Sequence, residues 1–214
     1  ENKQVANKLM AEATRLAPAK KFARTQAATY WALSGQMDLA VAEWDAALTT
    51  SPKQGAEIFP ILLRLAQSGE TVIFLEPLIK KPPVWWPDFV EYMVKNAESL
   101  DTLVHIAALR MKSNVPLSAE ERSLVVRRMM KDGEWPQAYI TWVNGLDDTQ
   151  RRYLGSIYNG SFKLEPTNEG FDWHITNRKK GVTIRHQRSY GSTGEKAMQL
   201  AFDGHEFVFT DLYQ

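Results

Sequence analysis

Apolar residues recur every three or four positions from the start of the chain to about residue 150, and from about residue 157 onward the period falls to two. The helical part is punctuated into pairs. In the stretch from Tyr30 to Pro52 an apolar helix meets Gly35, which predicts a turn; a second helix follows with Ala40, Trp44, Ala47 and Leu48, and Pro52 stops it. Upstream, Ala6, Met10, Ala13 and Pro18 repeat the spacing of that second helix, so the chain is expected to start inside a hairpin. Downstream, residues 58–83 predict a helix, a Ser68-Gly69 turn and a second helix ending at Pro82-Pro83. Residues 88–113 predict a pair broken near Ser99, with Asp101 as N-cap. In the last pair Ser118-Ala119-Glu120-Glu121 has the form of a capping box, Gly133 marks the turn, and Pro136 suits the first turn of the helix carrying Ala138 and Trp142.

Beyond Asn144-Gly145 and a short charged helix (DDTQRRYLG), short alternating runs are separated by Gly, Asn and Pro. Val182, Ile184 and His186 alternate against Thr183, Arg185 and Gln187. Met198, Leu200 and Phe202 alternate against Gln199, Ala201 and Asp203, and Phe207 and Phe209 continue the pattern. Half-buried antiparallel strands fit this spacing. The expected fold is therefore mainly α: an α-solenoid of helical hairpins over residues 1–150, then an antiparallel β segment over 156–214. The latter holds enough chain for only part of a sandwich or jelly roll, and the chain is expected to end partway through that domain.

The Tyr30–Pro52 hairpin resembles the tetratricopeptide repeat. There a small residue lets two helices approach, an aromatic fills the groove and a Pro ends the unit; here Ala28, Trp31, Ala40 and Trp44 fit, while Arg24 departs from the family's usual Trp. The β segment resembles the opening of galactose-binding-like carbohydrate modules through Tyr158-Asn159-Gly160-Ser161-Phe162, Phe171-Asp172-Trp173 and the run Gly194 to Gly204. In many such modules a Glu after the Phe helps hold a structural calcium. Lys163 stands there in this chain, and a cation is no ligand for a cation.

The combination resembles bacterial repeat proteins associated with exopolysaccharide synthesis and export. The likeness lies in Ile58-Phe59-Pro60-Ile61-Leu62, Leu117 to Arg122, Gly133 to Tyr139 and the NGSF…FDW runs. It implies location and pathway and no chemistry: a periplasmic chain, inner-membrane-anchored at full length through a tether absent from this chain, that contacts another protein of a cell-envelope polysaccharide assembly, with polysaccharide itself as a further candidate partner.

Composition narrows the chemistry. The chain has 214 residues, no Cys, 26 Lys+Arg and 25 Asp+Glu. Thiol catalysis, Cys zinc sites and disulfides are excluded. Residues 1–150 carry net −1 and residues 151–214 net +2, so neither part has the basic field of a nucleic-acid binder. No run of apolar residues is long enough to span a bilayer. The four His form no HExxH pair, and no G-x-S-x-G or phosphate-loop motif occurs. His105, in an apolar helix, is expected to be packed. Glu165, Glu169 and Asp172 offer a glycosidase pair only at a separation sequence does not give.

The expectation is thus a non-enzymatic protein-interaction scaffold without cofactor or metal, and the alternative is a carbohydrate-binding protein acting through its β domain. First-helix residues Arg24, Gln26, Arg64 and Gln67 would face a partner groove. Trp85 and Trp86, in a Pro-rich joint, would either form an interface or plug the packing between hairpins. His174, Arg185 and Tyr190 are candidate glycan contacts. Trp173 is open between core and site, and Arg178, Lys179 and Lys180 form a basic patch or a solvated hairpin.

Overall fold

The structure, a computed structural model, describes residues 2–16, 21–113, 115–175, 182–188, 196–204 and 212–214. Among these residues the chain is mainly helical, with ten α-helices followed by two small antiparallel sheets. Packing divides it into two units, residues 1–124 and 125–214. The expected boundary near residue 150 followed the change of period. The packing boundary lies instead within α8 (Ala119–Lys131), and the helices after it group with the segment that carries the strands.

In the first unit, α1 (Asn2–Leu16) precedes a hairpin of α2 (Lys21–Leu33) and α3 (Met37–Thr50). Ala27, Ala28, Ala40 and Ala47 are at most 1% exposed. With only methyl groups at the contact the two backbones come close, and Trp31 and Trp44 fill what the alanines leave. The turn is a Schellman motif. Gly35 has φ +76° and donates to Ala32 O, while Gln36 donates to Trp31 O. Then follow α4 (Gly55–Gln67), a 3-10 turn (Val72–Leu75), α5 (Glu76–Lys80), α6 (Trp86–Asn96) and α7 (Leu100–Lys112). The second helix expected before Pro82 is thus a 3-10 turn and a five-residue helix, with Pro77 at the start of the latter. Ser99, two residues before the expected Asp101, is the N-cap of α7, its Oγ accepting from Asp101 N at 3.0 Å.

The interior of this unit joins the alanine-rich hairpin to an aromatic group of Phe59, Trp85, Trp86, Phe89 and Tyr92. At its end sits a buried ion pair. Arg110 meets both Glu121 oxygens at 3.1 and 3.2 Å and also donates to Val115 O and Pro116 O, while Ser118 N donates to Glu121 at 2.7 Å. The capping box at Ser118 is present, and its Glu is also the carboxylate that pairs Arg110.

In the second unit, the rest of α8 leads through Gly133 (φ +86°) to α9 (Trp135–Val143), then α10 (Asp148–Arg151). The Gly133 turn repeats the Gly35 hydrogen bonds, Gly133 N to Met130 O and Glu134 N to Met129 O. At one constant offset, buried Ala28, Trp31, Ala40, Trp44 and Leu48 correspond to buried Val126, Met129, Ala138, Trp142 and Leu146.

Among the described residues there are four strands, two of them only two residues long. β1 (His174–Ile175) pairs antiparallel with β4 (Leu212–Tyr213), and β2 (Val182–Arg188) pairs antiparallel with β3 (Lys196–Phe202), Val182 facing Phe202. The run from Ile157 to Trp173, expected to give strands, is a chain of turns. Asn159, Phe162 and Asn168 have φ between 48° and 60°, which interrupts any extended ladder. Phe207 and Phe209 lie outside the described residues.

Candidate functional site

The site begins where α4 ends. Gln67 is its last residue, and the Ser68-Gly69 turn follows with no side chain at Gly69 to fill the space beside it. Opposite, α7 contributes Ser99, Asp101, Thr102, Val104, His105 and Ala108, and Glu98 stands before its cap. Together with Ala66 these residues line a cleft of about 570 Å³, within the roughly 300–1,000 Å³ range of ligand sites. Its floor is Ala66 and Thr102, 4% and 7% exposed, and its rim is polar.

Asp101 and His105 stand one helical turn apart on α7 with Thr102 beside Asp101, and Glu98 lies just before the helix. Ser99 Oγ donates to Asp101 at 2.8 Å, fixing that carboxylate at the mouth. Thr102 Oγ1 has no hydrogen-bond partner among the described residues, although the residue is buried. No Lys or Arg lines the cleft. His105, expected to be packed, is exposed at its rim. Leu103 and Ile106 take the inward face of α7, and one residue of rotation, about 100°, turns His105 outward.

Of the four residues expected to face a groove, Gln67 lines this cleft. Gln26 and Arg64 are exposed on α2 and α4. Arg24 is half-buried, and its Nη1 donates to Glu43 Oε2 at 2.6 Å, so the guanidinium spans the α2–α3 hairpin. The interface reading of Trp85 and Trp86 is corrected: they are 2% and 0% exposed and belong to the core. Trp85 Nε1 donates to Asp45 Oδ1 at 2.9 Å, and both rings pack on Phe89.

The second unit holds a different surface. Trp135 and Tyr139, one helical turn apart on α9, are 53% and 42% exposed and stand edge-on to Phe171 at 6.4 and 5.2 Å. Trp142, beneath them, packs edge-on to Tyr158 at 4.8 Å. Gly170 (φ +56°) lies so close to the Trp142 ring that a Cβ would approach to 2.3 Å, so only glycine brings the loop to this ring.

Polar side chains hold the turns around it. Asn159 closes on Leu164 through both N–H and C=O, at 3.0 and 2.8 Å. Asp172, 2% exposed, accepts from Thr167 N and Oγ1 at 2.8 Å each and from Trp173 N at 2.7 Å. That carboxylate is occupied in holding a turn, which corrects its candidacy as a glycosidase acid or base. Burial, with the charges of Asp172 and Asp147 behind it, pushes the Tyr158 phenol up to about 12.

Trp173 is half-buried, donating to Asn159 O at 3.2 Å with its ring 4.8 Å from Phe162. His174 bonds Gly170 O at 3.1 Å and stacks flat on Tyr213, so both its ring and its Nε2 have protein partners. His186 reaches Phe162 O at 2.6 Å, tying β2 to the turns. Arg185 is exposed on β2 opposite Gln199. Tyr190 and the basic run Arg178-Lys179-Lys180 lie outside the described residues. Compared with family profiles, curated proteins and solved structures, the chain matches none.

Proposed function

We propose that this chain is a non-enzymatic interaction scaffold, a tetratricopeptide-like stack of helical hairpins that presents the α4–α7 cleft to another protein. The observation that carries this reading is the cleft itself: an open site between helices, floored by small residues and rimmed by Gln67, Ser99, Asp101 and His105, all hydrogen-bonding groups. The recurrence of one hairpin design at Gly35 and Gly133 supports the repeat reading. On this reading the chain works in the periplasm, tethered to the inner membrane at full length, beside a protein of cell-envelope polysaccharide assembly. A photo-crosslinking residue at Gln67 is expected to capture one envelope protein in cells, whereas the same residue at Arg188 on β2 is not. Capture from neither position, or equal capture from both, removes the reading. A periplasm-dependent reporter fused after Gln214 tests the location separately.

A second reading rests on Trp135, Tyr139 and Phe171. Exposed aromatic rings held edge-on to one another offer faces on which sugar C–H groups stack. Carbohydrate binding on this reading involves α9 and the 170–171 turn, with Arg185 as a candidate polar contact. Titration with the organism's own exopolysaccharide is expected to shift Trp fluorescence in the native chain and not in Trp135→Ala. An unchanged spectrum in the native chain removes this reading.

A further inference from the structure

We infer that the α4–α7 cleft takes a cationic side chain, Lys or Arg, from an extended segment of a partner protein. This rests on the scaffold reading and names the chemistry of its site. Three observations point the same way. The mouth carries two carboxylates, Glu98 and Asp101, and no Lys or Arg lines the cleft. Asp101 is held in place by Ser99, so the charge is positioned before any ligand arrives. Inside, Thr102 lines the cleft at 7% exposed, and its hydroxyl, with no partner among the described residues, is open to an incoming polar group.

A carboxylate at the first turn of α7 also offsets the helix dipole, and that role alone would explain Asp101. It explains neither Glu98, which precedes the cap, nor the unpartnered Thr102 in the floor. The shape favours a peptide over an amino sugar. Ala66, Ala108 and Val104 supply the apolar lining, with no aromatic face for a pyranose ring, while Gln67 and His105 at the rim suit backbone amides.

The test uses the whole chain and fluorescein-labelled hexalysine, with hexaglutamate and hexaserine as controls. Hexalysine is expected to bind with an affinity that falls steeply between low and physiological salt. Amide shifts in a heteronuclear NMR spectrum should concentrate at Gln67, Gly69 and Asp101 to Ala108. The isosteric double variant Glu98→Gln, Asp101→Asn keeps the Ser99 cap and should weaken binding at least about tenfold. Thr102→Val should weaken it about threefold, and both variants should melt like the native chain. Equal binding of hexaglutamate, shifts confined to other residues, or an unaffected double variant overturns the proposal. So does tighter binding of a glucosamine hexamer at the same amides. If the envelope protein crosslinked at Gln67 is still captured by the double variant, the scaffold stands and the cationic ligand falls. If hexalysine binds the cleft but nothing crosslinks in cells, the ligand chemistry stands and the scaffold reading falls.

Discussion

The two units hide their interiors from water by different means. The first does it with hydrocarbon. Its core runs from Ala28, Trp31 and Trp44 through Leu62, Leu75 and Ile79 to Trp86, Phe89 and Met93, all on helices or short helical turns and all 5% exposed or less. The second packs hydrocarbon around α8, α9 and the Val182–Ile184 face of β2. From Ile157 to Trp173 its chain has no ladder and is held by side chains that bond to backbone, with Asn159 and Asp172 at the centre. Hydrocarbon contacts are many and individually weak, so their loss is graded. A buried polar clip has few bonds, and removing one partner strands the others. The Arg110–Glu121 pair and Gln54, which donates to Ala47 O, bring the rule of the second into the first unit.

The largest effects probe the first unit. Trp86→Ala removes the largest fully buried side chain of that core, and truncations of this kind cost about 3–5 kcal/mol. Urea unfolding followed by amide exchange should show the loss on α3 to α7. Glu121→Ala deletes far less volume yet is expected to cost about 3 kcal/mol, because Arg110 would remain charged and buried. Glu121→Met together with Arg110→Leu should recover most of that stability. No recovery in the double variant would mean that the bonds to Val115 and Pro116 carry the effect, not the charge. In the second unit Asn159→Ala is expected to cost about 2 kcal/mol. It leaves Leu164 N–H and C=O without a partner and places alanine at φ 48°. Asn159→Gly, which relaxes the backbone but also loses the bonds, separates the two contributions.

This contrast also explains what the sequence revealed. Gly35, Gly133, Pro136 and the Ser118 box act through local geometry, and local geometry is legible from a few neighbouring letters. The strand readings failed between Ile157 and Trp173 because alternation of apolar residues also arises where turns send successive side chains to different neighbours. Tyr158 meets Trp142, whereas Phe162 meets Trp173. The Asn159-Gly160 pair belongs to the motif that resembles the opening of a carbohydrate module, and in the fold its Asn is the buried clip.

Of the candidate groove, Gln67 was legible because it ends a first helix. Asp101, Thr102 and His105 carry no sequence signal beyond that of a capped, solvated helix start, and it is the α4 end opposite them that makes a cleft. Trp85 and Trp86 show the opposite case. Their Pro-rich surroundings leave an interface and a plug between hairpins equally open, and the bond from Trp85 to Asp45, forty positions earlier, is one that no local pattern reveals.

An intermediate effect comes from pH. The Tyr158 phenol titrates near 12 in the fold and near its ordinary value of about 10 once unfolded. A raised folded value means that the unfolded chain releases its proton first as pH climbs. Stability is therefore full below about pH 10 and declines through pH 12, by about 2 kcal/mol at the upper end. Tyr158→Phe keeps the ring against Trp142 and should flatten this alkaline decline. The measurement is the urea midpoint of the second unit at pH 9 and pH 11.5, with phenolate absorbance showing when Tyr158 ionises. A decline of equal size in both proteins would assign it to other groups.

The smallest effect concerns a residue that sequence alone would have sent to the partner groove. Arg24 and Glu43 meet at 2.6 Å across the α2–α3 hairpin with side chains 20% and 13% exposed. That exposure leaves water close to both charges, so a double-mutant cycle of Arg24→Gln and Glu43→Gln should give a coupling of only about 0.5–1 kcal/mol, reduced further in salt. A coupling near zero would show that the contact is not maintained in solution and would return Arg24 to the candidate contact residues. A coupling within the expected range keeps its guanidinium on Glu43 and leaves Gln67 as the residue of the expected groove that lines the α4–α7 cleft.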